Sequence, residues 1–392
     1  MNIPFANPSQ HGNQTGHRLI AVDILRGLVM VLMTLDHTRD FFSNIIYDPT
    51  DLTKTSAGLF LTRWITHYCA PVFIFLAGTS AYLSGIRHHD RRRLGIYLFS
   101  RGLWIAFLGI SFESLIWCYT ADFSELSGAV LWAIGWSMMT LAGLIYLPLP
   151  AVVGIGLLLI STHNLFDGLK MTDMGGFGPL WAVLHSGETV HLTNKLVLHP
   201  YYPLIPWIGV MATGYGCGAL VLDKPQRQRQ VLSWLGFVMV AVFVLFRYRN
   251  QYGDPQPWSH QQSVTFTLLS FINCEKYPPS LLYLLMTLGP ALALLPWLES
   301  VTGRPGKWLV IFGREPLFFY LLHLPMLVFL ALGWAWMAED YPIPLLLPGF
   351  PQAYGYDLPI VYLIWAGVVA ALYPLCRWYH GFKQQRQWLK YI

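Results

Sequence analysis

Ten stretches of roughly 20 apolar residues recur along this 392-residue chain, and they restrict its fold more than any other feature. Within a bilayer every backbone polar group needs an internal partner, so stretches of this length predict helices. The predicted spans are residues 19–41, 57–84, 95–118, 129–147, 150–165, 201–222, 230–248, 277–297, 308–335 and 357–377. The sequence therefore predicts an all-α, polytopic transmembrane helix bundle of about ten spans.

The charge distribution supports a membrane location. Charged residues make up 11% of the chain, whereas soluble domains contain about 25%. The net charge of +5 does not indicate nucleic-acid binding, because the basic residues lie in short loops between spans. With ten spans and both termini cytoplasmic, the richest groups fall on one side, as the positive-inside rule requires. These groups are Arg87 with Arg91–Arg93; Lys224, Arg227 and Arg229; Arg304 and Lys307; and Lys383, Arg386 and Lys390.

The ends of the chain and its cysteines allow further expectations. Residues 1–17 are polar and lack a cleavable signal, so we expect a cytoplasmic tail followed by a single membrane domain over residues 18–392. The five cysteines show no CxxC spacing, which argues against a metal site. Cys118 and Cys274 are predicted near the outer face, where the two could form a disulfide, but unpaired thiols are favoured.

The first span is unusual because it carries Asp23, Arg26, Asp36 and His37. Ionisable groups in a bilayer usually face protein or water and serve function. Arg26 and His37 are eleven residues apart, which on a helix is about three turns and about 16 Å. Both side chains should therefore lie on one face, with Arg26 towards the cytoplasm and His37 near the outer surface.

Other interpretations of these residues stay open. Asp23 and Arg26 are i,i+3 neighbours that can neutralise each other. Asp36 and His37 point about 100° apart, so Asp36 need not orient His37. A membrane histidine often serves only as a hydrogen bonder between helices.

Further candidate site residues lie on other spans. Arg63 and His67 share a face of the second span, and Asp36 or Glu113 is a candidate counter-charge. Glu113 lies in the outer half of the third span, and His323 lies near the middle of the ninth. The three histidines occupy different spans without an HxxxH or HExxH motif, so we expect proton handling and no metal.

Three long connections are predicted on the outer face, at residues 166–200, 249–276 and 338–356. Loops of this length are uncommon without a function. They are either surface connections or a lid or acceptor pocket.

Six motifs occur in an order that is similar to that of a known family. They are DILRGLVMVLMTLDH, TRWITHYCAPVFIFLAGTSAYLSG, YPLIPWIGVMATGYGCG, RNQYGDPQPW, KYPPSLLYLLMTLGP and GREPLFFYLLHLP. Over residues 18 to 335 the chain resembles a bacterial multi-pass family grouped with the catalytic domain of heparan-α-glucosaminide N-acetyltransferase. The interval from Arg26 to His37 also matches the arginine-ten-histidine signature of membrane acyltransferases that modify surface carbohydrates.

The resemblance implies an integral-membrane acyltransferase of a bacterial inner membrane. It would move an acyl group, typically acetyl, from cytoplasmic acetyl-CoA or another acyl-CoA to an extracytoplasmic acceptor, expected to be a carbohydrate. Arg26, Arg101 and Arg314 are the expected donor-binding residues, with Arg91–Arg93 as further phosphate partners. The expected catalytic set is His37 as base, with Asp36, Arg26, His67, His323 and Glu113.

The chain differs from heparan-α-glucosaminide N-acetyltransferase, which is a lysosomal enzyme, at the residue expected to act as the base. A gapless alignment of the first span places an asparagine of that enzyme at His37, and its catalytic histidine follows in the next loop. Residues 43–55, SNIIYDPTDLTKT, contain no histidine. The role of His37 therefore comes from the arginine-ten-histidine signature.

Two other functions fit the same residues. A proton-coupled solute transporter would use the intramembrane Arg, Asp and His as an ion path, although no internal repeat supports it. A structural partner of an envelope-sugar assembly would need none of them. The sequence leaves open which acceptor is used and how long the acyl chain is. It also leaves open whether a covalent acyl-histidine forms and whether the protein is a homodimer.

Overall fold

The computed structural model describes residues 12–88, 90–118, 122–301, 303–337 and 355–386. The α-helices in these ranges are α1 Gly12–Phe42, α2 Ala57–Thr66, α3 Cys69–His88, α4 Arg91–Leu108, α5 Ser114–Trp117, α6 Val130–Leu144, α7 Leu149–Thr162, α8 Gly178–Trp181, α9 Leu204–Val221, α10 Pro225–Arg249, α11 Val264–Ile272, α12 Leu281–Leu294, α13 Gly303–Arg314, α14 Pro316–Met337 and α15 Leu358–Gln384. Short 3₁₀ and π-helical turns extend several of them.

The predicted all-α polytopic bundle is confirmed. Within the described residues, eight helical segments are long and apolar enough to cross a membrane: Ala57–Ile86, Arg91–Trp117, Leu149–Phe166, Leu204–Val221, Gln226–Arg249, Leu281–Ser300, Pro316–Ala335 and Leu358–Gln384. The two other predicted spans correspond to α1, which has 31 residues and includes Asp23, Arg26, Asp36 and His37, and to α6, which has 15 residues. The sides on which the two termini lie stay a prediction.

Three predicted spans are interrupted, and two of the interruptions lie at the candidate residues His67 and Glu113. The second span breaks between α2 and α3 at His67, and the third contains a π-helical turn over Gly109–Glu113. The predicted ninth span, 308–335, is wrong as a single helix. It consists of α13 and α14, which are separated at Glu315 because Pro316 lacks an N–H and disfavours helical geometry in the residue before it.

The bundle is built around α1, which packs against α2, α3, α13, α14 and α15. Glycines bring α1 and α13 into backbone contact. A Cβ atom on Gly27 would lie 2.0 Å from the Leu309 carbonyl oxygen, and one on Gly313 would lie 1.8 Å from that of Asp23. Because no side chain separates these helices, the Gly313 carbonyl comes within reach of the Arg26 guanidinium.

Two of the predicted outer connections contain structure of their own. Residues 166–200 contain α8 and two strands, β2 Val190–Thr193 and β3 Leu196–His199. Together with β1 Glu125–Ser127 they form a sheet in the order β1-β3-β2, in which β3 pairs parallel with β1 and antiparallel with β2. Residues 249–276 contain α11. The third connection, 338–356, lies outside the described residues except for its last two.

All five cysteines carry free thiols, as favoured from the sequence.

Candidate active site

A cavity of about 260 Å³ follows one face of α1. Arg26 and His37 both face it, as their spacing predicts, and the apolar Val29 and Met33 lie between them. The opposite wall is formed mainly by small or apolar residues of α3, α4 and α6: Cys69, Ala70, Phe73, Ala77, Ser80, Ala81, Ser84, Leu98, Ile105, Leu131, Ile134 and Met138. The cavity is therefore an apolar channel with polar ends about 16 Å apart along the helix axis.

At one end of the channel, two histidines from distant parts of the chain meet. The Nδ1 atom of His37 lies 2.7 Å from the Nε2 atom of His323, and the rings are nearly coplanar, 15° apart. The Nδ1 atom of His323 lies 3.1 Å from the carbonyl oxygen of Phe319, one turn earlier on α14. His323 is fully buried, whereas His37 lines the channel.

These contacts determine where the protons of the neutral pair lie. The Phe319 carbonyl only accepts, so His323 carries its proton on Nδ1 and its Nε2 atom accepts. His37 must then donate from its own Nδ1 atom, which leaves the lone pair on its Nε2 atom. A histidine in this tautomer can act as a general base.

Aromatic rings hold the His37 imidazole in place. Trp117 lies edge-on at 5.1 Å and Tyr320 at 6.4 Å between ring centroids. Tyr320 also donates a hydrogen bond of 2.6 Å to Glu113. The Glu113 carboxylate is fully buried in the π-helical turn and also accepts from the backbone N–H of Leu131. Among the described residues, Glu113 is thus connected to His37 through Tyr320.

Asp36 lines the channel beside His37 and belongs to a cluster of charges. Its carboxylate accepts a hydrogen bond from Arg63 at 2.7 Å and from the Thr66 hydroxyl at 2.8 Å, and it lies 2.8 Å from Arg39. The buried Arg39 and the partly buried Arg63 thus use the acceptor capacity of this side chain. The contact to Arg63 supplies the counter-charge expected for the second span, and it ties α1 to α2 beside the channel.

Near the opposite end, Arg26 is held by uncharged groups. It donates to the Gly313 carbonyl at 2.8 Å and to the Ser80 hydroxyl at 2.5 Å, while the Asp23 carboxylate is 3.5 Å away. Asp23 lies closer to Arg314, at 3.2 Å. The Asp23 pairing therefore accounts for only part of the environment of Arg26.

Three more cations line the channel near Arg26, namely Arg101, Arg314 and Lys383. Lys383 is positioned by Glu315, which accepts from it at 2.9 Å and pairs with His380 at 2.7 Å. Among the described residues, four basic side chains and the carboxylates of Asp23 and Glu315 lie at this end of the channel, so basic groups predominate there. Arg91, Arg92 and Arg93 are exposed and are not among the described residues that line it.

A second, polar pocket of about 160 Å³ lies beside the His37 end. His67 lines this pocket together with Asp48, Thr50, Arg63, Gln256, Asn273, Cys274, Glu275, Lys276 and Tyr277. Lys276 lines both the pocket and the channel. Partial burial raises the pKa of Glu275 above the ordinary value of a glutamate.

His67 is thus separated from the histidine pair. It is buried, its backbone carbonyl accepts from Tyr283 at 2.7 Å, and its Nδ1 atom has no hydrogen-bond partner among the described residues. Of the three predicted histidines, the structure brings two together and places the third in the neighbouring pocket.

Comparison with known protein families places this geometry in context. A family model described as heparan-alpha-glucosaminide N-acetyltransferase, catalytic, matches residues 18–247, which is more than half of the chain. The chain belongs to the heparan-alpha-glucosaminide N-acetyltransferase catalytic family. It is therefore a multi-pass membrane protein of an acetyltransferase-type family. A comparison with curated proteins finds no match.

The family match covers most of the channel lining but stops before the C-terminal residues that contribute to the site. It includes Arg26, His37, His67, Arg101 and Glu113. His323, Lys276, Arg314 and Lys383 lie beyond it, although they face the same channel or contact its lining residues. In this member of the N-acetyltransferase family, the C-terminal helices therefore complete a site that begins in the matched region.

Several residues that line the channel could not be identified as site residues from the sequence alone. Lys276 belongs to the KYPPS motif, but a lysine in a loop near a span is ordinary by itself. Lys383 is expected from the positive-inside rule, which also accounts for lysines that face solvent. Ser80 and Tyr202 have common residue types, and only the fold shows that both face the channel.

Proposed function

We propose that the protein is an integral-membrane acyltransferase that moves an acetyl group from acetyl-CoA, or a related acyl-CoA, to a carbohydrate acceptor on the other side of the membrane. One observation carries the proposal. In a member of an acetyltransferase-type family, a single channel joins a positively charged end to a histidine whose neutral tautomer leaves Nε2 available as a base.

The donor would enter at the charged end. Its phosphates would be held by Arg101, Arg314 and Lys383, because guanidinium and ammonium groups form strong, charge-assisted contacts with phosphate. The pantetheine arm would follow the apolar wall, with Arg26 beside it. Arg26 is about 16 Å from His37 along α1, so it would contact the arm and not the reacting thioester.

The acceptor would enter from the polar pocket beside Lys276. The Nε2 atom of His37 would take the proton as the acceptor hydroxyl or amine attacks the thioester carbon. The new C–O or C–N bond forms, the C–S bond breaks, and the proton passes from His37 to the leaving sulfur. Lys276 is the lining cation at this end and would stabilise the oxyanion.

His323 would stabilise the charge that forms on His37. When His37 gains a proton on Nε2, its Nδ1–H still donates to His323, which is anchored by the Phe319 carbonyl. The arrangement keeps the His37 ring in one orientation throughout the transfer. We further propose that the charged end faces the cytoplasm of a bacterium, where acyl-CoA is present.

Transfer of labelled acetyl tests this proposal. Purified protein is mixed with [¹⁴C]acetyl-CoA, with and without a mixture of envelope oligosaccharides, and both the protein and the products are counted. Turnover that is lost in His37→Ala supports the acyltransferase. A stoichiometric burst of labelled protein without acceptor would favour a covalent acyl-histidine, and its absence would favour direct transfer. Solute flux in proteoliposomes with no acetyl transfer would instead favour a transporter.

A further inference from the structure

A second cluster of ionisable side chains lies apart from the channel and the polar pocket. His163 and Asp167 belong to the turn that follows α7, and His185 belongs to the π-helical turn over Ala182–Ser186 that follows α8. One potential donor atom from each of the three residues lies within 4.8 Å of the other two. Both histidines are buried, with exposed fractions of 1% and 2%, whereas Asp167 reaches solvent.

His163 has an unusual environment. Neither of its ring nitrogens has a hydrogen-bond partner among the described residues, although both are buried. A buried polar group without a partner costs about 1–3 kcal/mol, and a neutral imidazole here leaves one donor and one acceptor unsatisfied. Both ring nitrogens of His163 are therefore unpartnered among the described residues and available to a ligand.

The neighbouring groups are those that typically support metal ligands. The Nε2 atom of His185 lies 2.7 Å from the His163 carbonyl oxygen and 3.8 Å from the Asp167 carboxylate. The Trp181 ring stacks on His185 at 4.7 Å, and Asn164 donates to the second Asp167 oxygen at 2.8 Å. A hydrogen bond to a ligating carboxylate, such as the one from Asn164, orients that ligand around a metal ion. The stacked Trp181 ring limits the orientations of the His185 imidazole.

We propose that His163, Asp167 and His185 form a binding site for a divalent transition-metal ion, with zinc as the best match. Two imidazoles and one carboxylate suit zinc better than calcium or magnesium, which prefer oxygen ligands. Three protein ligands leave the fourth tetrahedral position for water. The sequence shows no metal motif because the two histidines are separated by 22 residues and are brought together by the turns around α8.

Metal binding requires only a small contraction. Ligand atoms about 2.0–2.1 Å from a tetrahedral zinc are about 3.4 Å apart, against the present upper limit of 4.8 Å. Rotation of the partly exposed Asp167 side chain brings its carboxylate inwards. The ion would take the place of the hydrogen bond between His185 and the His163 carbonyl.

The site would hold the outer connections together. Asn164, in the same turn, accepts a hydrogen bond from the Leu281 N–H, and the Ser161 carbonyl in the last turn of α7 accepts one from the Tyr252 hydroxyl. Tyr252 and Leu281 flank the segment that contributes Gln256 and Lys276 to the polar pocket. A bound ion would therefore stabilise the loops beside that pocket without touching the channel.

Metal stoichiometry of the full-length protein in detergent tests the site. The protein is stripped with EDTA, reloaded with Zn²⁺, passed through a desalting column and analysed by inductively coupled plasma mass spectrometry. A parallel sample is loaded with Co²⁺, whose visible absorption reports tetrahedral coordination. We expect one equivalent of Zn²⁺, a Co²⁺ band, and a higher melting temperature with Zn²⁺ than after EDTA.

Variants assign the binding to these three residues. Asp167→Asn keeps the volume of the exposed ligand and should retain less than one tenth of the wild-type Zn²⁺, as should His163→Gln. His191→Gln alters an exposed histidine on β2 and should retain the full equivalent. Wild-type protein that keeps less than 0.1 equivalent overturns the proposal even if a variant does not fold. Full retention by Asp167→Asn and His163→Gln also overturns it.

Discussion

The Nδ1 atom of His37 lies 2.7 Å from the Nε2 atom of His323, although 286 residues separate them in the chain. The anchor of His323 on the Phe319 carbonyl directs this hydrogen bond, and it leaves the Nε2 atom of His37 without a proton. His37 is thus placed as the base, His323 orients it, and the Phe319 carbonyl anchors His323. Sites where a histidine removes a proton have such an arrangement.

Loss of either histidine should reduce transfer, but to different extents. His37→Ala removes the base and should lower kcat by about 10²–10⁴-fold. His323→Gln retains a side-chain acceptor for His37 and should lower kcat less, with the KM for the donor unchanged. Steady-state kinetics with labelled acetyl-CoA measures both values. His260→Ala, an exposed histidine, is the control. A His323→Gln variant that is as inactive as His37→Ala and binds the donor normally would mean that His323 itself contacts the substrates.

Lys276 should contribute to the chemical step because it lines both the channel and the polar pocket. Lys276→Met removes the cation beside the reacting carbonyl, and we expect kcat to fall by about 10²–10³-fold, the range seen when one oxyanion donor is lost. Lys276→Arg should recover part of that loss because it keeps the charge.

Lys54→Met supplies the control, since the Lys54 side chain is 59% exposed. Equal activity of Lys276→Met and Lys276→Arg would show that the charge at this position is not used.

The basic end of the channel should act on donor binding alone. Arg314→Gln removes a cation at the channel mouth, and a hydrogen bond to a charged group contributes about 1.5–3 kcal/mol. We therefore expect a rise of about 10-fold or more in the KM for acetyl-CoA, with kcat nearly unchanged, and a weaker dependence of KM on salt. Arg92→Gln, on an exposed loop-side position of α4, should leave KM as it is. A fall in kcat without a change in KM would place Arg314 outside the donor site.

Contact between α1 and α13 should be sensitive to a single methyl group. Gly27→Ala would place its Cβ 2.0 Å from the Leu309 carbonyl oxygen, so the helices must separate. Such overpacking typically costs about 1–3 kcal/mol. Separation would also weaken the bond from Arg26 to the Gly313 carbonyl.

Thermal unfolding followed by intrinsic fluorescence measures the effect. Gly367→Ala on α15 is the matched control, because no atom lies within 4 Å of its added Cβ. That variant should be as stable as the wild type or slightly more stable. Equal melting temperatures for the two variants would contradict the close approach of α1 and α13.

Local sequence patterns predict much of the fold and one face of the site. Apolar stretches are sufficient to predict most helices, and the period of a helix is sufficient to place Arg26 and His37 on one face. The pairing of His37 with His323 depends on how α14 packs against α1, which no local pattern encodes. The interruptions at His67 and Glu315 lie within stretches whose average hydropathy is that of a single span, so a count of apolar residues does not reveal them. Lys276 comes from a loop, so neither helical period nor hydropathy indicates that it faces the channel.

Binding of acetyl-CoA is the most direct test of the central claim, which is that the channel holds an acyl-CoA donor with its phosphates at the charged end. Purified protein in lipid nanodiscs is titrated with acetyl-CoA by isothermal titration calorimetry. We predict saturable binding at one site, weakened about 10-fold in Arg314→Gln and unchanged in His37→Ala and Arg92→Gln. No binding at millimolar acetyl-CoA, or equal affinity in Arg314→Gln and the wild type, would contradict it.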